Sequence, residues 1–576
     1  MVTAVTEVGR EFRLPASTLW QAESRSGATT GVAVHHGPGA IGERRYLAAW
    51  PGRAVMFNGL PIDATGRFSG WDAGELDRHW PSLPSTLDGL FSVARIDFEA
   101  DRIEVLTDPT GISQVFYGRR GHAIVVSTSA AAVASTLELD VLDPLAISSF
   151  LALGWAVERR SFTAGLTALS GGSLYEISAD GMRSSQHFGS SALARRSGRA
   201  ARRPDLASQL VALSAEAARA GGPVRSALTA GHDTRVMAAL LRAASVAATY
   251  YTAGEPDSTD VVIAGELAER FGLAHEREHD IDPEDLSPAA VSRFIRQNDG
   301  LCSLTQLADY IDLDQPVAEL GITFWGMGGE IGRAGAGLLS NVAPNLPLAS
   351  RVTAVQRQLL RLKIDDAGLL TRAGKRLVVD FLDRFVDERR REGWQPREIP
   401  EAFYAFERIF TWAATGPRRA AGRSDLMSPF CTRAFVDYCF SLTPAERYLE
   451  TPHRRVLEEI APDFFDVRFE VPFRGRHPAF VGLLASRQLW AEGRPGQRHG
   501  GALTAAPGSP RPFLDRWLRS QTARLEAMAD EAPDLVWQLI DRGRFTASLR
   551  SDTDRYSTRD ALLRTATVLW WVSVTR

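Results

Sequence analysis

The stretch from Val224 to Leu241 constrains this chain more than any other. Val224 to Leu228 is short and apolar enough for a buried strand, and Val236-Met237-Ala238-Ala239-Leu240-Leu241 gives a helix a broad apolar face. Between them lies Thr229-Ala230-Gly231-His232-Asp233-Thr234-Arg235, so the order is strand, tight turn, helix. The pattern repeats. Val246 to Thr252 reads as a strand, Gly254 and Pro256 as a turn, and Asp260 to Phe271 as a helix stopped by Gly272. Gly321 to Trp325 reads as a further strand, running into Gly326-Met327-Gly328-Gly329-Glu330-Ile331-Gly332. Strands and helices alternating at these lengths imply a parallel sheet covered on both faces, with ligands at the carboxyl ends of its strands. Both glycine-rich turns fall at such ends.

The first turn has the composition of an anion site. Gly231 lets a ligand approach the backbone, the amides at the helix start point outward, and Thr229 and Thr234 add hydroxyls. Phosphate suits such a site, and Asp233 beside it makes sense if a divalent cation bridges the carboxylate to phosphate oxygens. A helix cap made by Thr and Asp accounts for the same residues without any ligand.

The 576 residues exceed what one hydrophobic core organises, so at least two domains are expected. From about Gly31 to Ser135 the text is one of short strands. Asn58-Gly59 reads as a hairpin signal after Ala54–Phe57, and Leu90–Asp97 pairs naturally with Arg102–Leu106 across a polar turn. Leu142 to Leu153 opens the helical text, with Asp143-Pro144 as its start, and Arg195 to Arg203 reads as a linker. Beyond Leu348 the chain reads as mostly helical, with a loop from Gly493 to Pro512 and closing helices from Phe513 that bury Trp570 and Trp571. A net charge of -3 with no basic stripe argues against nucleic acid, and no segment approaches a membrane span. Three cysteines without paired spacing argue against a disulfide scaffold or zinc and for a reducing cytoplasm.

Together these stretches resemble the asparagine synthetase family over most of the chain. That family joins an N-terminal-nucleophile glutaminase domain to an ATP pyrophosphatase domain with the signature Ser-Gly-Gly-x-Asp-Ser. Thr229-Ala230-Gly231-His232-Asp233-Thr234 falls in that frame, keeping Gly231 and Asp233. Gly326-Met327-Gly328-Gly329-Glu330 is similar to the family's later Gly-x-Gly-x-Asp-Glu turn, and Tyr251-Thr252-Ala253-Gly254 with Asp260 to the stretch beside the adenine. Asp88 to Val93, Asp108 to Tyr117 and Leu169-Ser170-Gly171-Gly172 resemble segments of the glutaminase half, and Ser428-Pro429-Phe430 a segment of the helical part. The resemblance implies an α/β protein. An N-terminal antiparallel β-sandwich with flanking helices, Ntn-hydrolase-like, would occupy 1–194, and a parallel-sheet ATP pyrophosphatase domain with a mostly helical C-terminal part would occupy 204–576. It further implies ATP and Mg²⁺ as cofactors. Leu228, Thr229, Gly231, Asp233, Thr234, Thr252, Gly326 and Gly328 would face the nucleotide, Asp233 and Glu330 the metal, and Glu330 and Arg474 would be catalytic.

Several positions depart from the family. Its glutaminase needs a cysteine directly after the initiator methionine; Val2 stands there and the nearest cysteine is Cys302, so no glutaminase activity is expected. In this the chain resembles β-lactam synthetases and lasso-peptide cyclases, which take the amine from the substrate. The expected reaction is adenylation of a carboxylate by ATP and transfer of the acyl group to an amine. The expected partners are a small-molecule or peptide carboxylate and an amine, with no nucleic acid or membrane; a homodimer is compatible with this reading. Met327 replaces the family's acid or base in the second turn, and Glu470 falls where a catalytic lysine is expected, leaving Arg474 or Arg476 as the cation. Ammonia-dependent asparagine formation and a non-catalytic nucleotide binder are the alternatives. Asp425 and Asp437 read as solvated surface.

Overall fold

The computed structural model describes residues 2–6, 21–26, 30–36, 47–65, 72–196, 205–278, 286–307, 321–333, 368–396, 398–420, 424–474, 512–551 and 556–575. The predicted linker beyond residue 196 and the loop from Gly493 lie outside these residues, as does Arg476.

The first part of the chain is antiparallel, as its alternating text predicts. Its strands are β1 (Val2–Thr6), β2 (Gln21–Ser26), β3 (Thr30–His36), β4 (Leu47–Trp50), β5 (Arg53–Asp63), β6 (Leu87–Asp97), β7 (Arg102–Thr107), β8 (Phe116–Arg120), β9 (Ala123–Ser127), β10 (Thr167–Ala168), β11 (Ser173–Ser178) and β12 (Gly181–Gln186). They form two six-stranded sheets, ordered β10-β8-β9-β1-β3-β2 and β12-β11-β7-β6-β5-β4. Met56, Ile96 and Val105 of one sheet meet Ile124 and Val126 of the other, while the alternate residues face outward. Phe57, Phe91 and Val93 cover Leu76 of α1 (Ala73–Arg78), and Phe116 and Val125 cover Val133 of α2 (Ala130–Thr136). The layering is helix, sheet, sheet, helix.

The hairpin expected at Asn58-Gly59 does not form. β5 runs straight through it, because Gly59 (φ 79°) sits opposite Phe91 where a Cβ would overlap the Leu90 carbonyl, and Asn58 Nδ2 donates to Ser113 Oγ at 3.1 Å. At Asp143-Pro144 the expected start is realised: the Asp143 carboxylate accepts from the Leu145 and Ala146 amides at 2.9 Å and opens α3 (Pro144–Leu153).

The second part is built on a parallel sheet of β13 (Val224–Ala227), β14 (Ala248–Ala253), β15 (Ala274–Glu278), β16 (Ile322–Phe324) and β17 (Asp425–Met427), ordered β15-β14-β13-β16-β17. Helices α4 (Leu206–Arg219), α5 (His232–Ala243) and α6 (Thr259–Phe271) alternate with its first strands. The fifth strand was unforeseen. Asp425, expected at the solvated surface, opens it in register with Ile322 and is half-buried. Later helices include α7 (Arg372–Arg391), α8 (Arg433–Ser441), α9 (Thr451–Ile460), α10 (Asp534–Leu539) and α11 (Tyr556–Thr575), the last burying Trp570 and Trp571. None of the described helices is long and apolar enough to cross a membrane.

The two parts share one core. Helix α3 packs against α7, α10 and α11, and a single apolar cluster runs from Leu60 to Trp571. Polar ties reinforce it: Asp299 accepts from Ser129 Oγ and the Ala131 amide, both at 2.8 Å, and pairs with Arg418 at 2.7 Å. At the start of α8, Arg433 donates its amide to Asp88 (3.0 Å) and its guanidinium to Pro84 O (2.8 Å).

Glu407, in the π-helical stretch Phe403–Ile409, takes part in this seam by accepting from the Glu158 amide at 3.0 Å. Burial pushes its carboxyl up to about 7, against the pull of that amide and of Arg159. A raised carboxyl stabilises the fold fully below its unfolded value, and that contribution is lost as pH rises through the folded value. Unfolding free energies from urea titration should therefore fall between pH 5 and pH 8 more steeply in the wild type than in Glu407→Gln, by roughly 1–3 kcal/mol. Parallel pH profiles for the two proteins would contradict this assignment.

Candidate functional site at the sheet switch point

Because the sheet is parallel, its strands all end at one edge. After β13 the chain builds β14 and β15 to one side, then crosses to place β16 and β17 on the other. In open parallel sheets the point of reversal, here beyond β13 and β16, is where the ligand crevice lies. The two glycine-rich turns leave their strands at that point, one into α5 and one into a 3₁₀ turn, Gly329–Arg333.

The first turn is closely self-bonded. The Thr229 amide donates to Thr234 Oγ1 (3.0 Å), the two threonine hydroxyls lie 2.9 Å apart, and the Gly231 amide donates to Thr229 Oγ1 (3.1 Å). The Ala230 amide donates to Asp260 Oδ1 at 2.8 Å, a tie from the start of α6. Gly231 supplies no capping side chain, so the amides of the first turn of α5 are left for another acceptor. Leu228 is fully buried and its amide donates to Tyr251 O (2.9 Å).

Thr252 faces inward. Its hydroxyl donates to Leu228 O at 2.5 Å and lies 2.8 Å from His275 Nε2. Since the hydroxyl has one proton, Nε2 of His275 carries the other. Burial lowers the His275 pKa against the attraction of Glu276, which favours the neutral ring. Thr252→Val should cost about 1–2 kcal/mol in urea unfolding by stripping both partners, while leaving small-ligand affinity at the crevice within about twofold, a change of roughly 0.4 kcal/mol. A tenfold affinity loss would mean that the hydroxyl also meets a ligand.

The second turn presses against Asp233. Gly328 has φ 93° and a Cβ there would lie 2.7 Å from Cys431 Sγ; at Gly329 a Cβ would overlap the Asp233 carboxylate itself. Gly326 borders Asp233 and Thr234. Met327 contributes its carbonyl, which accepts from Ser428 Oγ at 2.5 Å. Arg333 donates to Asp233 Oδ1, and His453 Nε2 lies 2.9 Å from the same oxygen. Burial pushes the Asp233 carboxyl up, but Arg333 and His453 outweigh it and hold the group well below the usual range. Glu330 moves the other way, pushed up by burial and then by Asp233, and its Oε2 is buried without a hydrogen-bond partner.

A third segment closes the site. His232 stacks on Phe473 at 3.9 Å, with Nε2 2.7 Å from Val471 O and Nδ1 3.2 Å from Glu450 Oε1. Burial raises the Glu450 carboxyl, yet His232, Arg333 and Arg474 bring it down to about 2. Arg235 is fully buried, donating to the carbonyls of Phe464, Val467 and Arg468 at 3.1, 2.7 and 2.7 Å. Arg474 donates its amide to Glu450 Oε2 (3.2 Å), and its guanidinium lies over Tyr448, 4.5 Å from the ring centre. Glu470 is exposed, with its amide 3.4 Å from Ala230 O.

The structure thus brings Asp233, Glu330, Gly326 and Gly328 together around one crevice, with Thr229, Gly231 and Thr234 on its first turn. Thr252 and Leu228 lie behind that turn, and Arg474 reaches it through Glu450. Sequence reasoning missed Arg333, His453 and Glu450. Arg333 stands three residues after Glu330, which was the available signal. Nothing local marks residues some 120 positions further on.

Neither a protein-family model nor a curated protein matches the chain. Similar solved structures include an allosteric regulatory enzyme of purine biosynthesis, 13% identical, covering 50% of this chain and 60% of its own length at a TM-score of 0.20. Another is the glutamine phosphoribosylpyrophosphate amidotransferase of B. subtilis complexed with ADP and GMP, 13% identical, covering 58% of this chain and 71% of its own length at 0.18. At such scores the fold rests on the strand order described above.

Proposed function

We propose that this chain is an ATP-dependent, AMP-forming amide ligase that adenylates a carboxylate and passes the acyl group to an amine. The observation that carries this reading is the meeting of two glycine-rich turns at the switch point of a parallel sheet, with the Gly329 backbone against Asp233. The first-turn amides of α5 with the Thr229 and Thr234 hydroxyls would receive the pyrophosphate part of ATP. A carboxylate oxygen then attacks the α-phosphorus, pyrophosphate leaves, and the amine displaces AMP from the acyl-adenylate. The pocket's contribution is to align the carboxylate with the phosphorus and to exclude water from the adenylate.

Glutamine hydrolysis is not part of this reading. Cys302, Cys431 and Cys439 are buried and lie outside the antiparallel sheets, so the sandwich has no thiol nucleophile to offer. Glutamate released from glutamine at a rate matching amide formation would refute that statement.

The test of the ligase is exchange between pyrophosphate and ATP across a panel of carboxylates, with Asp233→Ala expected to abolish it. A second reading, a nucleotide binder without turnover, is favoured by the exposed Glu470 and by Met327, whose thioether cannot transfer a proton. Calorimetric ATP binding with no exchange for any carboxylate would decide for it. Exchange with aspartate that yields product with free ammonia would make the enzyme an ammonia-dependent asparagine synthetase.

A further inference from the structure

The resemblance to asparagine synthetases asks for Mg²⁺ between Asp233 and Glu330, and the residues around Asp233 do not fit it. Mg²⁺ requires near-octahedral oxygen ligands at about 2.0–2.1 Å and keeps several waters. Asp233 Oδ1 is taken by Arg333 and has His453 Nε2 2.9 Å away. The Gly329 backbone covers one side of the same carboxylate, where an added Cβ would overlap Oδ1. Glu450 is spent on His232 (3.2 Å) and the Arg474 amide (3.2 Å), which leaves Glu330, whose Oε2 has no hydrogen-bond partner, as a lone carboxylate, and the described residues hold no cluster of three metal-ligating side chains. What stands among these acids is a guanidinium: Arg333 also brings Nε within 3.9 Å of Glu450 Oε1.

We propose that Arg333, and not a divalent ion held by Asp233, supplies the positive charge for the polyphosphate in this crevice, so that nucleotide binds without Mg²⁺. The inference rests on the nucleotide reading above. An arginine is charged at every physiological pH and offers a planar fork that matches phosphate oxygens. Asp233 holds Nη2 of that fork and Nε is buried beside Glu450, while the side chain is 25% exposed, so the Nη1 end remains for an incoming anion. Asp233 thereby acts as a positioning residue for Arg333, with His453 buttressing it from the apolar side between Phe430 and Phe435.

The experiment is calorimetric titration of the full chain with ATP, once in EDTA and once in excess Mg²⁺. The expected result is an affinity that changes by less than about threefold, or roughly 0.7 kcal/mol, between the two conditions. Arg333→Met, checked for folding by circular dichroism, should lose at least about tenfold in EDTA, or roughly 1.4 kcal/mol. Arg333→Lys, which keeps the charge but not the fork, should fall between. Binding that requires Mg²⁺ overturns the proposal and leaves the nucleotide reading intact. No binding in either condition overturns both. Unchanged binding by a folded Arg333→Met in EDTA removes Arg333 from the role.

Discussion

Replacing Arg235 by methionine is expected to destabilise the protein by about 2–4 kcal/mol, the net of two opposed terms. In favour of the variant, a charge leaves the core: burial lowers the Arg235 pKa to about 10 against the attraction of Glu266, a cost of about 3 kcal/mol. Against it, three main-chain carbonyls, of Phe464, Val467 and Arg468, lose their donors inside the protein, at about 1–3 kcal/mol each. The guanidinium also lies 3.6 Å from the Phe469 ring centre, a contact that methionine replaces only in part. The carbonyl term is the larger. Urea unfolding measures the loss, and limited proteolysis locates it, since cleavage within 464–474 should accelerate while cleavage elsewhere does not. Wild-type stability with an unchanged cleavage pattern would show that the segment is held by its aromatic side chains alone.

Gly329→Ala is the second large effect expected. In a helical turn this substitution ordinarily stabilises by about 0.5–1 kcal/mol, because glycine gives up more freedom on folding. Gly265, in α6, provides the control: nothing lies within 4 Å of a Cβ there, so Gly265→Ala should show that gain. At Gly329 the added methyl overlaps the Asp233 carboxylate, which Arg333 holds and behind which His453 Nε2 stands 2.9 Å from Oδ1. Overpacking of this kind costs about 1–3 kcal/mol. If the crevice takes ATP, affinity should also fall at least about tenfold, or roughly 1.4 kcal/mol. Equal gains in stability for the two alanine variants would mean that the second turn does not bear on Asp233.

These residues also show where the sequence is readable. Strands β13, β14 and β16 announce themselves because each is an apolar run ending in a glycine turn, and a parallel order follows from the helices between them. β17 is three residues long and begins with Asp425, so neither length nor polarity marks it; register with β16 alone makes it a strand. Asn58-Gly59 is the converse case, a turn signal overruled by a neighbouring strand that needs a glycine opposite it. In the crevice, Asp233 and Glu330 are legible because each belongs to a turn whose chemistry shows in consecutive residues. Arg333, His453 and Glu450 are not, since their only common property is proximity in the folded chain. Thr252 is legible as a residue but not in its orientation, which the carbonyl of Leu228 decides.

Helix α3 has a consequence for how this protein can be taken apart. Its ten residues come from the antiparallel half, yet nine of them are buried and its neighbours α7, α10 and α11 belong to the other half. A truncation that begins after residue 204 would expose the apolar sides of those three helices together, a patch that invites self-association. Whatever chemistry the sandwich performs or has lost, it covers the apolar sides of these three helices, and deleting it should leave a polypeptide that aggregates.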